Sequence, residues 1–187
     1  MNKAKPAGAT LLLCLDMQPA FLRAIPEGGQ VLRRCRFAVA SASGLGLPVA
    51  FTEQVPRKLG GTDPDLLKGL ESPAVFAKDT FSAFAAGSPA RKGLLEGRAI
   101  EHVLVCGIET PICVYQTSVD ALREGYAVTV LSDCVGARRE RDAAASLAAL
   151  ARAGALVLPS ETVFYSILGG AKHPFFRAYT ELVKEHA

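Results

Sequence analysis

Cys113, Asp16 and Lys78 are the residues whose types and positions could do chemistry in this chain. Cys113 follows the apolar run Val103-Leu-Val-Cys106 and Gly107, and precedes Val114, Ser118, Ala121 and Leu122 at helical spacing. It therefore sits in or beside the first turn of a helix that follows a buried strand. Unpaired backbone N–H groups and the positive end of the helix dipole favour an anion there, and a thiol's pKa can fall from about 8.5 to roughly 3.5–7.5. A small buried thiol that merely fills space is the alternative at this position. Asp16 ends a strand-like run in Leu15-Asp16-Met17-Gln18-Pro19, and Lys78 follows Val75-Phe76-Ala77. An aspartate beside the thiol could take its proton, and a lysine beside both would favour the two charged forms together. Taken singly, Asp16 could be a helix cap and Lys78 a surface residue. Asp133 is a rival carboxylate, in a setting that suits a turn or cap. Histidine is the usual partner of a catalytic cysteine, but His102 opens a strand, at the opposite end of the sheet from Cys113. His173 and His186 belong to the C-terminal segment, so a Cys-His pair is not expected.

The elements that must position these residues follow from the hydrophobic pattern. Apolar runs of strand length at 10–15, 48–52, 102–106, 127–131 and 155–158, with a short one at 74–77, alternate with helical patterns at 30–45, 89–97, 113–125, 142–153 and 162–168. Unbroken Leu/Val/Ala runs are strands buried on both faces, so the prediction is a mostly parallel, doubly wound sheet of about six strands in a three-layer αβα, Rossmann-like fold. In such sheets ligands bind beyond the strands' carboxyl ends, where the strand order reverses. Residues 53–72 carry Pro56, Gly60-Gly61, Pro64 and Gly69 and read as a long lid or binding loop. From Pro174 to His186, Phe176, Tyr179, Leu182 and Val183 recur at three-to-four spacing. That spacing predicts an amphipathic helix docked on the body or on a neighbouring subunit.

Composition narrows the function classes. The chain has 187 residues, half of them apolar, which suits a single domain over residues 1–187. Five cysteines without a CxxC pair indicate free thiols in a reducing, cytoplasmic setting. Residues 11–15 form too short an apolar run for a signal peptide or a membrane span. The net charge is +3, and the clusters Arg33-Arg34-Cys35-Arg36 and Arg138-Arg139-Glu140-Arg141 are small and mixed, so neither nucleic acid nor a membrane is an expected partner. No GxGxxG follows a strand, and no GxxxxGK[ST] is present, which disfavours dinucleotide and P-loop sites.

Leu13-Cys-Leu-Asp16-Met-Gln, Lys78-Asp-Thr-Phe-Ser-Ala-Phe84 and Gly107-Ile-Glu-Thr-Pro-Ile-Cys113-Val-Tyr-Gln-Thr occur in this order. Together they resemble the isochorismatase-like cysteine hydrolases, over nearly the whole chain. Thr52-Glu-Gln54-Val-Pro56, Gly60-Gly61-Thr62, Ser160-Glu161 and Ala171-Lys-His-Pro174 most resemble the isochorismatase domain-containing branch. The resemblance implies the isochorismatase-like hydrolase fold and an Asp16-Lys78-Cys113 triad. It also implies a cis peptide before Glu109 and an oxyanion hole from the backbone N–H groups of Glu109 and Cys113. Nicotinamidases of this family hold a metal with an aspartate and histidines after the second strand, whereas this chain reads Thr52-Glu-Gln-Val-Pro-Arg57, so no metal or other cofactor is expected. True isochorismatases cleave a vinyl ether without a cysteine nucleophile, so Cys113 points to acyl chemistry.

The leading expectation is a metal-independent cysteine hydrolase that cleaves a C–N, amide-type bond of a small molecule through an acyl-enzyme on Cys113. Phe21, Gln54, Phe81 and Phe84 are candidate pocket walls, with plain core as the alternative for the aromatic residues. A homo-oligomer is expected from the apolar fraction and the amphipathic tail. Two other readings stay open: a redox or sensor protein in which Cys106 or Cys134 meets Cys113 in space, and a binding or assembly protein on the same fold.

Overall fold

A computed structural model describes residues 9–96 and 99–186. Its centre is a six-stranded sheet in the order β3-β2-β1-β4-β5-β6, every neighbouring pair parallel. The strands are β1 (Thr10–Leu15), β2 (Val49–Gln54), β3 (Ala74–Lys78), β4 (His102–Ile108), β5 (Ala127–Gly136) and β6 (Leu156–Leu158). Between them run α1 (Pro19–Leu22), α2 (Gly28–Gly44), α3 (Pro56–Leu59), α4 (Pro64–Leu67), α5 (Pro89–Leu95), α6 (Tyr115–Arg123), α7 (Glu140–Arg152), α8 (Ser160–Leu168) and α9 (Phe176–His186).

The sheet is buried on both faces, as its unbroken apolar strands require. Along β1, Leu12 and Cys14 face a core built with α2, α8 and α9 residues, whereas Leu11, Leu13 and Leu15 face a second core that includes residues of α5, α6 and α7. The chain winds outward through β2 and β3, then returns to place β4 on the other side of β1. The order therefore reverses between β1 and β4, and the crevice opens beyond their C-terminal ends.

Three differences from the sequence expectations bear on the site. The strands run further than their apolar runs, so Gln54, Lys78 and Ile108 are last residues of β2, β3 and β4. Backbone pairing carries polar residues into a strand as long as neighbours supply partners, and β2 pairs on both sides. The stretch 53–72 is less irregular than expected, because Pro56 and Pro64 each start a short helix. The helix carrying Cys113 begins at Thr110 as a π turn, Thr110–Val114, before α6 continues it.

α9 docks on α2 of the same chain, with Tyr179 fully buried against Phe37, Phe164, Tyr165 and Phe175. Asp133 lies where the β4–β5 pairing jumps from Val130 to Val135. Its carboxylate accepts from the Ser160 amide at 2.7 Å and hydroxyl at 2.6 Å, and from Arg34 Nη2 at 2.6 Å. It thus supplies the N-terminal cap of α8, the cap role open to it in the sequence. Among the described residues no helix is long and apolar enough to cross a membrane.

Candidate functional site

Asp16 leaves β1 in a left-handed conformation, φ +53°, which aspartate tolerates better than most residues. Its amide donates to the Thr52 carbonyl at 3.0 Å and its own carbonyl accepts from the Gln18 amide at 2.7 Å, so the turn is tied to β2. The Thr52 hydroxyl donates to Oδ1 at 2.7 Å. Lys78 comes from β3, two strands away, and reaches across the end of β2. Its Nζ donates to Asp16 Oδ2 at 2.7 Å, to Gln54 Oε1 at 2.6 Å and to the carbonyls of Thr80 and Phe81 at 3.2 and 3.3 Å. The same nitrogen lies 3.6 Å from Cys113 Sγ. Only 1% of the Asp16 side chain and none of the Lys78 side chain is exposed. A pair buried this deeply holds together through mutual attraction and satisfied hydrogen bonds.

Beyond β4 the chain turns at the Ile108–Glu109 peptide, which is cis. The π turn follows, with the Ile112 and Val114 amides both donating to the Glu109 carbonyl, at 3.0 and 3.2 Å. π turns of this kind occur frequently at functional sites. Cys113 lies within it, 7% exposed. Burial first, and then the charge of Asp16, push its thiol up to about 12; Lys78 pulls the other way without prevailing, and a hydrogen bond to Asp16 adds to the rise. The advantage expected from the helix end is outweighed by desolvation, so the thiol keeps its proton between the Asp16 carboxylate and the Lys78 ammonium.

Asp16, Phe21, Gln54, Phe81, Ile108, Glu109, Ile112 and Cys113 line a cavity of about 80 Å³. Its walls are mainly apolar, with Asp16, Gln54, Glu109 and Cys113 as the polar residues among them. Phe21 and Phe81 take wall positions, as expected, and Phe81 is 54% exposed at the mouth. Gln54 also lines the cavity, but its side chain is committed to structure: Oε1 accepts from Lys78, and Nε2 donates to the Asp79 carbonyl at 3.1 Å. Phe84 does not reach the cavity. It is buried in the second core, ring to ring with Tyr126 at 5.3 Å, because the Ala83 amide is held by Thr117 Oγ1 at 3.0 Å.

Residues that the sequence reading passed over complete the site. Gln18 clamps the end of β2, accepting from the Gln54 amide at 2.7 Å and donating to the carbonyls of Gln54 and Gly60. Arg138 holds the Glu109 carboxylate through its backbone amide and Nε. The signal for Thr52 is its place at the start of the polar run Thr52-Glu-Gln54 that ends an otherwise apolar strand; Arg138 gives none, since its partner is fixed only by the fold. Cys106 packs with Cys14 and Cys35, the three sulfurs within 4.8 Å of one another and all fully buried. The Cys134 thiol donates to the Arg34 carbonyl at 3.3 Å. These four thiols pack in the core on the α2 side of the sheet, which gives Cys113 no exposed resolving partner among them.

The isochorismatase domain profile matches residues 10–162. This chain belongs to the isochorismatase domain family. It is 34% identical to the human isochorismatase domain-containing protein 2 over 188 residues, which covers all of this chain and 88% of that protein. Among solved structures, the MAR1 ribonuclease from Caenorhabditis elegans superposes with a TM-score of 0.89 at 30% identity, over 97% of this chain and 93% of that one. The YcaC gene product of Escherichia coli, described as an octameric hydrolase of unknown specificity, has a TM-score of 0.82 at 17% identity and covers 98% of both chains. The isochorismatase-like hydrolase fold is thus established for this member, and membership of the family supports a hydrolase. In this isochorismatase-domain chain the C-terminal end of β2 is engaged within the protein: Glu53 Oε1 accepts from the Thr62 amide and hydroxyl, at 2.7 and 2.9 Å.

Proposed function

We propose that this chain is a metal-independent cysteine hydrolase that cleaves a C–N bond of a small, uncharged amide through an acyl-enzyme on Cys113. One observation carries the reading: Lys78 Nζ touches Asp16 Oδ2 at 2.7 Å and Cys113 Sγ at 3.6 Å at the edge of a small apolar cavity. A scaffold has no use for a buried ion pair set against a thiol. With the thiol neutral at rest, Asp16 takes its proton as the sulfur attacks the acyl carbon. The S–C bond forms, the C–N bond breaks, and Asp16 passes the proton to the departing nitrogen. Water then adds to the acyl carbon, the S–C bond breaks, and the proton that water loses returns to the sulfur through Asp16. Lys78 keeps its charge throughout and offsets the negative charge that moves between Asp16 and Cys113. The backbone N–H groups of Glu109 and Cys113 are the proposed donors to the developing oxyanion, a contribution of about 3 kcal/mol per donor.

Cavity size and charge set the substrate class. About 80 Å³ is far below the roughly 300 Å³ at which drug-sized ligand pockets begin, so the reacting end must be small. Among the described residues, those lining the cavity include no basic side chain to pair with an anionic substrate. A nucleotide would need a larger, basic site, and the ribonuclease name of the C. elegans relative finds no counterpart in this cavity.

A series of neutral primary amides from acetamide to benzamide, assayed for ammonia release, tests the reading. Turnover of at least one is expected, lost by about 10³-fold or more in Cys113→Ala, with 4-nitrophenyl acetate leaving an acetyl group on Cys113 by mass spectrometry. Undiminished turnover in Cys113→Ala, or neither ammonia release nor a Cys113 adduct in the parent, would refute it.

A further inference from the structure

Glu109 poses a problem for the proposed chemistry. Its backbone amide is a proposed oxyanion donor, and the residue, which lines the cavity, carries a carboxylate only a few bonds from that amide. In a water-poor site a like charge within a few ångströms opposes that development strongly. The structure supplies a counterweight. Arg138 Nε lies 3.0 Å from Oε1 and 3.2 Å from Oε2, and the Arg138 backbone amide donates to Oε1 at 2.9 Å. The Glu109 side chain is 13% exposed, whereas that of Arg138 is 60% exposed, so the arginine sits outside the cavity and acts on it through the glutamate. One residue along from Glu109, the Thr110 hydroxyl donates to the Gly136 carbonyl at 3.0 Å. The end of β5 therefore grips the oxyanion loop at two adjacent points.

We infer that Arg138 is a positioning residue for the hydrolysis: it neutralises the Glu109 carboxylate and holds it back from the oxyanion, so that the amide of the same residue can act as a donor. Resting on the cysteine-hydrolase reading above, the inference adds an electrostatic task that the triad does not perform. It also makes the arginine and the glutamate a single unit, because an unpaired Glu109 is worse for the reaction than no carboxylate at all.

The test is a double-mutant cycle on the full chain, with 4-nitrophenyl acetate as probe and acetylation of Cys113 confirmed by mass spectrometry. Arg138→Gln keeps the backbone donor and removes the charge. It is expected to lower kcat about tenfold or more while KM changes less than threefold, with an unchanged melting temperature as control for folding. In the Glu109→Gln background, whatever its own rate, the same arginine substitution should change kcat less than twofold, because the charge it neutralises is gone. A purely structural role for Arg138 would slow both backgrounds equally, and that result overturns the inference, as does a kcat for Arg138→Gln equal to the parent's. Absence of Cys113 acetylation in the parent would remove the hydrolase reading itself and the inference with it.

Discussion

In the proposed reaction Asp16 has two effects on Cys113 that pull apart: its carboxylate would accept the thiol's proton, while its charge opposes the thiolate at rest. Replacing Asp16 with Asn separates them. With the charge removed, the pH profile of Cys113 alkylation by iodoacetamide should move to lower pH, toward a more reactive thiol, while amide or ester hydrolysis falls by about 10² or more for want of a base. Lys78→Met should move the alkylation profile to higher pH and destabilise the fold by about 3 kcal/mol, since it strands a buried carboxylate. An alkylation profile that stays put in Asp16→Asn would show that the two groups are not coupled as described. The sequence singles out the three proposed residues because Asp16 and Lys78 close apolar runs and Cys113 opens the helix that follows one, and strand ends are where an α/β sheet keeps its chemistry. The thiol's protonation was not legible. Helix position alone argues for a low pKa, and the desolvation that reverses it depends on how tightly β4, the π turn and the loop after β3 close around the sulfur.

At the scale of elements, β1 and β4 meet so closely at the switch point that the residue type at position 107 is fixed. Gly107 has φ +108°, and a Cβ there would lie 2.1 Å from the Leu15 carbonyl oxygen and 2.6 Å from the Leu15 nitrogen. Backbone cannot give way as a flexible side chain can. Gly107→Ala should therefore cost about 3 kcal/mol or more in chemical denaturation, from clash and strained backbone together. Gly46→Ala, at φ +71° with nothing within 4 Å, meets only the conformational penalty and should cost about 1 kcal/mol. Equal losses at the two positions would mean that the β1–β4 approach is not what confines Gly107. The sequence marked Gly107 as punctuation after an apolar run without showing what it avoids, since Leu15 is 92 positions away in the chain. Strand order was legible in the same limited way: alternating runs imply a parallel sheet, but only pairing between remote segments decides which strand lies beside which. Phe84 illustrates the limit for side chains. It shares a motif with Lys78, yet the turn after β3 sends it into the second core and not to the cavity.

The whole molecule carries a titration signature that comes mostly from groups outside the reaction. Burial leads the rise for Cys35, Cys134 and Cys113; hydrogen bonding with Cys14 leads it for Cys106, and Cys14 ends raised although its hydrogen bond with Cys106 lowers it. All five thiols thus hold their protons in the fold at pH values where an unfolded chain, with thiols near 8.5, has begun to release them. Below that range the five groups are protonated in both states and pH has no leverage through them. Above it the unfolded chain binds fewer protons than the folded one, so stability falls as pH rises, by up to about 1.4 kcal/mol per pH unit for each thiol. Asp133 acts at the other end. Burial alone would raise it, but the Ser160 hydroxyl and amide, and then Arg34, hold it below the usual carboxylate range. Its contribution is present above about pH 4 and is lost as pH falls further. Melting temperatures measured under reductant should accordingly hold from about pH 6 to 8 and fall steeply between pH 8 and 10. Cys106→Ala should lower the plateau by removing packing in the core, yet fall less steeply on the alkaline side because one fewer buried thiol titrates. A parent profile flat to pH 10, or an equal alkaline slope in the alanine variant, would show that the buried thiols do not govern this limb.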